Sequence, residues 1–244
     1  AAGGLTVCLV RRSVDPNELQ PLVDEIVANG GKAVPFGGFD ATKEDDVKKL
    51  VERVENEVGP ISCCVYNIGA QVGNRPFLKI SARLFELCWR MGSMGAFLVA
   101  KEVSKRMIDR GDGGTIIFTG ATAGFRGNSG QAGHAMAMAG RRAMAQSMFH
   151  ELGPKGIHVA HVLIDAMIVS PDTAGKFWDK LFKDDSSRSS ISYKDFVAKR
   201  TATESIVLPS GIAESYWHLY QQPRSSWTFE MDLRPWTDKA WFHA

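Results

Sequence analysis

An α/β domain with a doubly wound parallel sheet, covered by helices on both faces, is what this sequence predicts. Three observations carry that expectation. Short apolar runs recur at residues 5–10, 32–36, 61–66, 115–118 and 157–164, and unbroken apolar runs of this length mark strands buried on both faces. Stretches with apolar residues at helical spacing lie between them. At the centre, residues 113–146 run from a strand through a loop rich in Gly and Ser into a helix loaded with small residues: Ala135, Ala137, Ala139, Gly140, Ala143 and Ala145. Strand, functional loop and helix in that order belong to such a domain near its site.

Taken in order, the first strand leads to Arg11 and Arg12. A helix over 16–29 follows, with Leu19, Leu22, Val23, Ile26 and Val27 on one face and Gly30-Gly31 as its stop. After the second strand, Thr42, Lys43, Glu44 and Asp45 supply an N-cap and early acids for a helix running to Val58. The third strand ends in Asn67-Ile68-Gly69-Ala70. A loop leads into one or two helices over 81–110, broken by Asp112-Gly113-Gly114. Past the strand at 157–164 the pattern weakens, and the stretch 170–208, with its polar run Ser186-Ser187-Arg188-Ser189-Ser190, reads as a mobile loop or insertion. A short helix over 210–220 and a last strand over 227–233 precede an aromatic tail, the whole segment 225–244 forming a C-terminal strand and tail. Without repeats or linkers, residues 1–244 make one domain.

Composition narrows the function classes. Apolar residues make up 44% and charged residues 23% of the 244 residues, as in ordinary globular chains. A net charge of +2 is too small to argue for nucleic acid or a membrane surface, and no apolar run nears the ~20 residues of a membrane span. Cys8, Cys63, Cys64 and Cys88 lack metal-like spacing; they read as buried reduced thiols in an intracellular protein, of the cytoplasm or of an organelle, with no metal site.

Several local sequences carry a resemblance. They are Asp40 after a strand, the Asn67-Ile68-Gly69-Ala70 turn, Gly124 in the central loop, and Glu151-Leu152-Gly153-Pro154-Lys155-Gly156-Ile157-His158-Val159. Together they resemble the short-chain dehydrogenase/reductase family, from its second strand onward and over nearly the whole chain. The closing segments 222–227 and 232–236 look like a divergent bacterial-type subgroup. The resemblance implies a Rossmann-like fold and a nominally NADP(H)-dependent oxidoreductase.

Two departures from the family pattern matter. The family begins with a strand and a Gly-x-x-x-Gly-x-Gly turn that brings backbone N–H groups to the cofactor diphosphate at a helix N-terminus. Here Ala1-Ala2-Gly3-Gly4 resembles the end of that first helix. The first strand is therefore expected to be missing, through truncation or processing, or in a protein that lives without the diphosphate cradle and binds no cofactor. Second, aligning on Gly124 and Ala143 puts His134 at the position of the family's catalytic Tyr and Met138 at that of its Lys. The Ser position falls on Ala121 and the Asn position on Gly92. A thioether, a methyl group and a hydrogen cannot move protons, so little or no conventional activity is expected.

Each candidate has a functional and a plain reading. His134 would act as a replacement acid, with Thr122 or Thr119 as the hydroxyl that orients substrate, or it is simply a histidine at a helix start. Arg11 and Arg12 suit a 2′-phosphate through bidentate pairing, or form a solvated basic pair. By resemblance Asp40 sits against the adenine amino group, and Asn67 and Gly69 beside the adenosine ribose; as plain structure they are turn residues. Asp165-Ala166 replaces the family's Pro-Gly, and Ser170 stands at its Thr, in the loop that contacts the nicotinamide amide. Met136 and Met138 read as packing residues. By resemblance, the small-residue helix and the long one before it form subunit-pairing faces of a homo-oligomer or of a subunit of a protein assembly, or the small residues simply pack tightly on their own sheet; the aromatic tail (Trp227, Phe229, Trp236, Trp241, Phe242) is a partner surface or a core flap. Three functions remain open: an oxidoreductase of altered chemistry on an unnamed substrate, a silent structural subunit, and an NADP(H)-sensing module.

Overall fold

Every strand pairing among the described residues is parallel. The computed structural model describes all residues except 2, 14, 16–17, 71–72, 171–174, 176–177, 179–190 and 238–244. Strands β1 (Thr6–Arg11) and β2 (Lys32–Gly37) form one ladder, in register from Thr6 opposite Lys32 to Arg11 opposite Gly37. Strands β3 (Cys63–Tyr66), β4 (Gly114–Ala121), β5 (Ile157–Ile164) and β6 (Glu230–Leu233) form a second, in that spatial order. In the usual doubly wound order 3-2-1-4-5-6, β1 and β2 hold the second and third places and β3 the fourth.

Seven helices are described: α1 (Gln20–Ala28), α2 (Glu44–Glu57), α3 (Ala82–Trp89), α4 (Gly95–Arg110), α5 (Ala132–Leu152), α6 (Tyr193–Ala202) and α7 (Pro209–Gln221). Alternation along the strands sorts the core into two faces. Ile116, Phe118 and Val159 pack with Val47 and Val51 of α2, Ala96 and Met107 of α4, and Ala145 of α5. Ile117, Ala160 and Val162 point the other way and pack with Leu219, Ile212 and Tyr216 of α7.

Local chemistry explains most boundaries and corrects some expectations. Ser81 caps α3 by accepting from the Leu84 amide, and Gly111, at φ 76°, ends α4 in a left-handed turn that glycine adopts without strain. The cap expected near Thr42 is made differently. Asp40 Oδ1 accepts from the Thr42 amide (2.9 Å) and hydroxyl (2.8 Å), and α2 starts after this turn. Within 170–208, the stretch read as a mobile loop or insertion, Ser192 caps α6, and Phe196 packs with Trp178 and Ile206; part of that stretch, including 186–190, lies outside the described residues. The region 81–110 holds two helices joined by a five-residue π-turn, Arg90–Met94, which side-chain periodicity does not reveal.

The last strand is shorter than expected because Trp227 leaves it to stack on the His158 ring (centroids 4.9 Å apart, interplanar angle 4°), while Phe229 packs on Phe149. These two aromatics cover the core; Trp236 is exposed, and Trp241 and Phe242 lie outside the described residues. Strand β6 is also keyed by charge. Arg142 on α5 makes two hydrogen bonds to Glu230 (2.7 and 3.0 Å), and His161 Nδ1 lies 3.0 Å from the same carboxylate. His161 is 1% exposed, and its Nε2 has no partner and abuts Gly120. A second ring proton would have nothing to donate to. Burial accordingly lowers the His161 pKa from 6.5 to about 4, against the pull of Glu230 and with the help of Arg142 and Arg141.

Unfolded His161 takes up its proton near pH 6.5 and folded His161 near pH 4. The chain is therefore expected to keep full stability above pH 6.5 and to lose roughly 3 kcal/mol as pH falls from there to 4. Urea unfolding at pH 7.5, 6 and 4.5 measures this. His161→Gln should flatten most of the slope, leaving the smaller share of His158 and His134, whose pKa values burial also lowers.

Candidate cofactor and catalytic site

The C-terminal ends of the strands bring the sequence candidates to one edge. Arg11 ends β1 and Arg12 follows it, Asp40 follows β2, Asn67 and Gly69 follow β3, Ala121 ends β4 and Thr122 follows it, and Asp165 follows β5. Ligands of doubly wound sheets bind along this edge.

At the β1–β2 end, Arg11 pairs with Glu18 at 3.3 Å, both side chains half exposed, while the charge of Arg12 acts on Asp40. Burial tends to raise the Asp40 pKa, but the Thr42 amide and hydroxyl and the Arg12 charge outweigh it and leave the carboxyl below its usual range. A Cβ on Gly69 would meet nothing within 4 Å, so the turn after β3 presents open backbone. Arg12, Asp40 and Gly69 fit the adenosine 2′-phosphate end of a dinucleotide. Among the described residues no glycine-rich turn opens a helix towards its diphosphate.

The inner half of the edge does not fit a reacting nicotinamide. Asp165 accepts from the Thr122 hydroxyl through Oδ1 (2.8 Å) and pairs with Arg234 through Oδ2 (2.9 Å); Arg234 also pairs with Asp232 at 2.6 Å. Thr122 is thus buried and committed to Asp165, and Thr119 to the Tyr216 hydroxyl at 2.6 Å. His134 opens the second residue pair of α5, half buried, with Nδ1 lacking a partner. Burial, and then the Arg141 charge, lower its pKa. The space beside it, lined by Gly73, Arg75, Cys88 and Gln131, is about 10 Å³, roughly one water. The mouth above is tied shut: the Arg75 amide donates to Gly130 O at 2.9 Å, and the Asn74 carboxamide, turned nitrogen outward, donates to Ser129 O at 3.0 Å. The structure does not join His134 to Thr122 by a hydrogen bond.

Between these parts lies an apolar plug. Ala70, Cys88, Ala123, Ala137 and Met138 form one buried cluster, with Ala121 and Ala135 packed against it. Gly92, in the π-turn, closes it: a Cβ there would stand 2.6 Å from Ala137 Cβ and 3.1 Å from Ala70 Cβ. Met138 thus proves to be a packing residue, as expected.

One group that the sequence reading passed over holds this region together. Arg141, on α5 and 1% exposed, donates to Gly92 O (2.7 Å), Thr119 O (2.6 Å) and Ile68 O (2.6 Å), and its guanidinium lies 4.9 Å from the Tyr66 ring centroid. Tyr66 in turn donates to Met91 O at 2.6 Å. Arg141 and Tyr66 thus each donate to a carbonyl of the π-turn, Gly92 and Met91. Burial lowers the Arg141 pKa to about 10 and raises that of Tyr66 to about 12, so both stay protonated at neutral pH. The signal available in the sequence was an arginine set among small residues of an otherwise uncharged helix face.

The sequence model of the short chain dehydrogenases matches residues 1–176. The chain belongs to the short-chain dehydrogenase family. A short-chain dehydrogenase/reductase of Hericium erinaceus, eriH, is 29% identical over 178 residues, which are 73% of this chain and 69% of that protein. Sorbitol-6-phosphate 2-dehydrogenase of Escherichia coli is 28% identical over 70% of this chain and 65% of its own length. Among solved structures, a short-chain dehydrogenase from Rhodopseudomonas palustris is 37% identical and superposes with a TM-score of 0.73, covering 97% of this chain and 89% of its own. A metagenomic short-chain oxidoreductase in complex with NADP shares 20% identity and the fold, with a TM-score of 0.73 over 97% and 88% of the two chains. Among the described residues no helix is long and apolar enough to cross a membrane, and no His, Cys, Asp or Glu cluster suits a metal.

Arg141→Met would remove three hydrogen bonds to main-chain carbonyls and is expected to destabilise this short-chain dehydrogenase by about 3–5 kcal/mol. Arg141→Lys should recover little, since an ammonium cannot span three acceptors arranged around a planar fork. Denaturant midpoints at pH 7.5 compare the two variants with the parent.

Proposed function

We propose that this short-chain dehydrogenase is catalytically silent, and that it keeps the adenosine 2′-phosphate end of an NADP(H) site beside a closed catalytic centre. The supporting observation is the apolar plug. Of the family's four catalytic positions, those of Asn, Ser and Lys fall on Gly92, Ala121 and Met138, and all three lie in or against one buried cluster. The fourth, His134, has a partnerless ring nitrogen and space for about one water. Hydride transfer to a carbonyl needs a proton donor within hydrogen-bond reach of the oxygen, and the space beside His134 among the described residues has no room for a carbonyl substrate. Arg12 beside Asp40 and the open Gly69 backbone support nucleotide recognition, and fold relatives bound to NADP or NADPH agree with it.

A second reading, a structural subunit, draws on the surface. Phe77, Leu78, Phe85, Trp89 and Met136 line an open apolar groove of about 720 Å³, with Phe77 and Leu78 largely exposed. Apolar patches of this kind mark interaction sites.

The complete product of the reading frame should oxidise NADPH no faster than buffer across a panel of aldehydes, ketones and keto-sugars. The triple variant Ala121→Ser, His134→Tyr, Met138→Lys should not change that. Calorimetric titration should show NADPH binding that weakens about tenfold or more in Arg12→Ala. Substrate-dependent turnover that disappears in His134→Ala would sink the silent reading, and absence of NADPH binding would remove its nucleotide half.

A further inference from the structure

The small net charge of this chain hides an uneven distribution. The sequence holds 27 acids, yet only Glu86 falls between Glu57 and Glu102, and none falls between Asp112 and Glu151. The first interval carries Arg75, Lys79, Arg83, Arg90 and Lys101. The fold brings the two acid-poor intervals to one face, because α3 and the turn before it lie beside the start of α5. Glu86 is answered by Arg90 at 2.8 Å, and Arg75, Lys79 and Arg83 stand exposed beside this pair. A local excess of positive charge on one face marks it for an anionic counterpart, whatever the charge of the whole molecule.

These cations flank apolar side chains. Phe77, Leu78, Phe85, Trp89 and Met136 line the open groove, and Leu78 is 94% and Phe77 73% exposed. Exposure this high on two adjacent large residues puts them at the crest of the surface, not on the floor of a cleft. Phe77–Lys79 is a single tight turn. The Lys79 amide donates to Pro76 O (2.8 Å), the Ile80 amide to Phe77 O (3.2 Å) and the Leu84 amide to Ser81 Oγ (3.2 Å). Backbone groups that enter an apolar medium must find partners within their own segment, and these amides do.

We propose that the Phe77–Leu78 crest and the adjoining face of α3 form a docking surface for an anionic lipid bilayer, with Phe77 and Leu78 entering the acyl boundary and Arg75, Lys79 and Arg83 at the headgroup phosphates. A second copy fits this face poorly. A two-fold contact brings the same patch to itself, three cations against three, with one carboxylate that is already paired to answer them. A partner chain needs polar groups that fix its orientation, and Glu86, tied to Arg90, is the only charged side chain lining the groove. A lipid surface needs only apolar side chains to insert, an interfacial tryptophan such as Trp89, and cations for the headgroups. The attachment is peripheral. It gives the groove a lipid occupant where the subunit reading gives it a protein, and it depends neither on nucleotide binding nor on the closed centre.

Flotation of the complete product of the reading frame with vesicles tests it, comparing phosphatidylcholine alone with phosphatidylcholine containing about 30% phosphatidylserine at about 0.1 M salt. The protein should bind the anionic vesicles at least tenfold more tightly, and binding should fall about tenfold at 0.5 M salt. Each cation at such a surface strengthens binding about fivefold, so the double variant Lys79→Gln, Arg83→Gln should bind at least tenfold more weakly. Phe77→Ser with Leu78→Ser should do the same by removing the inserted side chains. All four positions are exposed, and a thermal melt matching the parent shows that the fold is intact; if the serine pair does not fold, Leu78→Gln alone replaces it. Equal binding to both vesicle types, no binding to either, or binding that neither double variant weakens would overturn the proposal. So would self-association, or a co-purifying chain, that Leu78→Gln releases, since either would put protein on this face.

Discussion

A single buried cation organises the centre of this molecule. Arg141 carries a full charge into the interior with no carboxylate against it among its close polar contacts, and three backbone carbonyls take the carboxylate's place. Such an arrangement is stable only when geometry satisfies both sides at once: isolated burial of a guanidinium costs many kcal/mol, and so does stranding the carbonyls. The consequence is mutual positioning. The turn after β3, the π-turn between α3 and α4, and the end of β4 are fixed relative to one another because one rigid planar group must reach all three. Tyr66 completes the arrangement by taking the neighbouring π-turn carbonyl and offering its ring face to the cation.

That constraint explains why the region around α5 and the turn is well packed. A π-turn is usually found where helices serve a function. Here two of its carbonyls, those of Met91 and Gly92, accept from Tyr66 and Arg141. The small side chains of Ala70, Ala123 and Ala137 let α5 approach the turn closely, and Met138 fills the remaining volume. Polar contacts move outward, to Thr122, Asp165 and Arg234 on one flank and to Arg12 and Asp40 on the other.

The architecture was legible in the sequence because buried parallel strands are written in their own side chains. Strand 157–164 could be bounded to the residue, since all eight positions are buried and glycine and aspartate flank it. The small or apolar character of Gly92, Ala121 and Met138 was equally plain. What they build together was not. Arg141 finds its acceptors 22, 49 and 73 residues away, and all three are main-chain carbonyls, which leave no mark on residue identity. The commitment of Thr122 to Asp165, 43 residues on, is hidden for a similar reason: only the return of β5 beside β4 brings the two ends together. Helix α6 was missed because its pattern is weakly amphipathic, and its anchor Phe196 packs on tertiary partners, Trp178 and Ile206, rather than along its own helix.

The tight approach at Gly92 has a consequence for how this chain can change. Any side chain larger than hydrogen there meets Ala137 and Ala70 before it meets a ligand. Placing a larger side chain at that point therefore requires the backbone of α5 to retreat first, and retreat opens a void that costs stability unless the new group fills it. Single enlargements there run uphill, while changes on the exposed flanks cost little. The contact behaves as a ratchet: once helix and turn have come together on alanine and glycine, only small side chains fit between them.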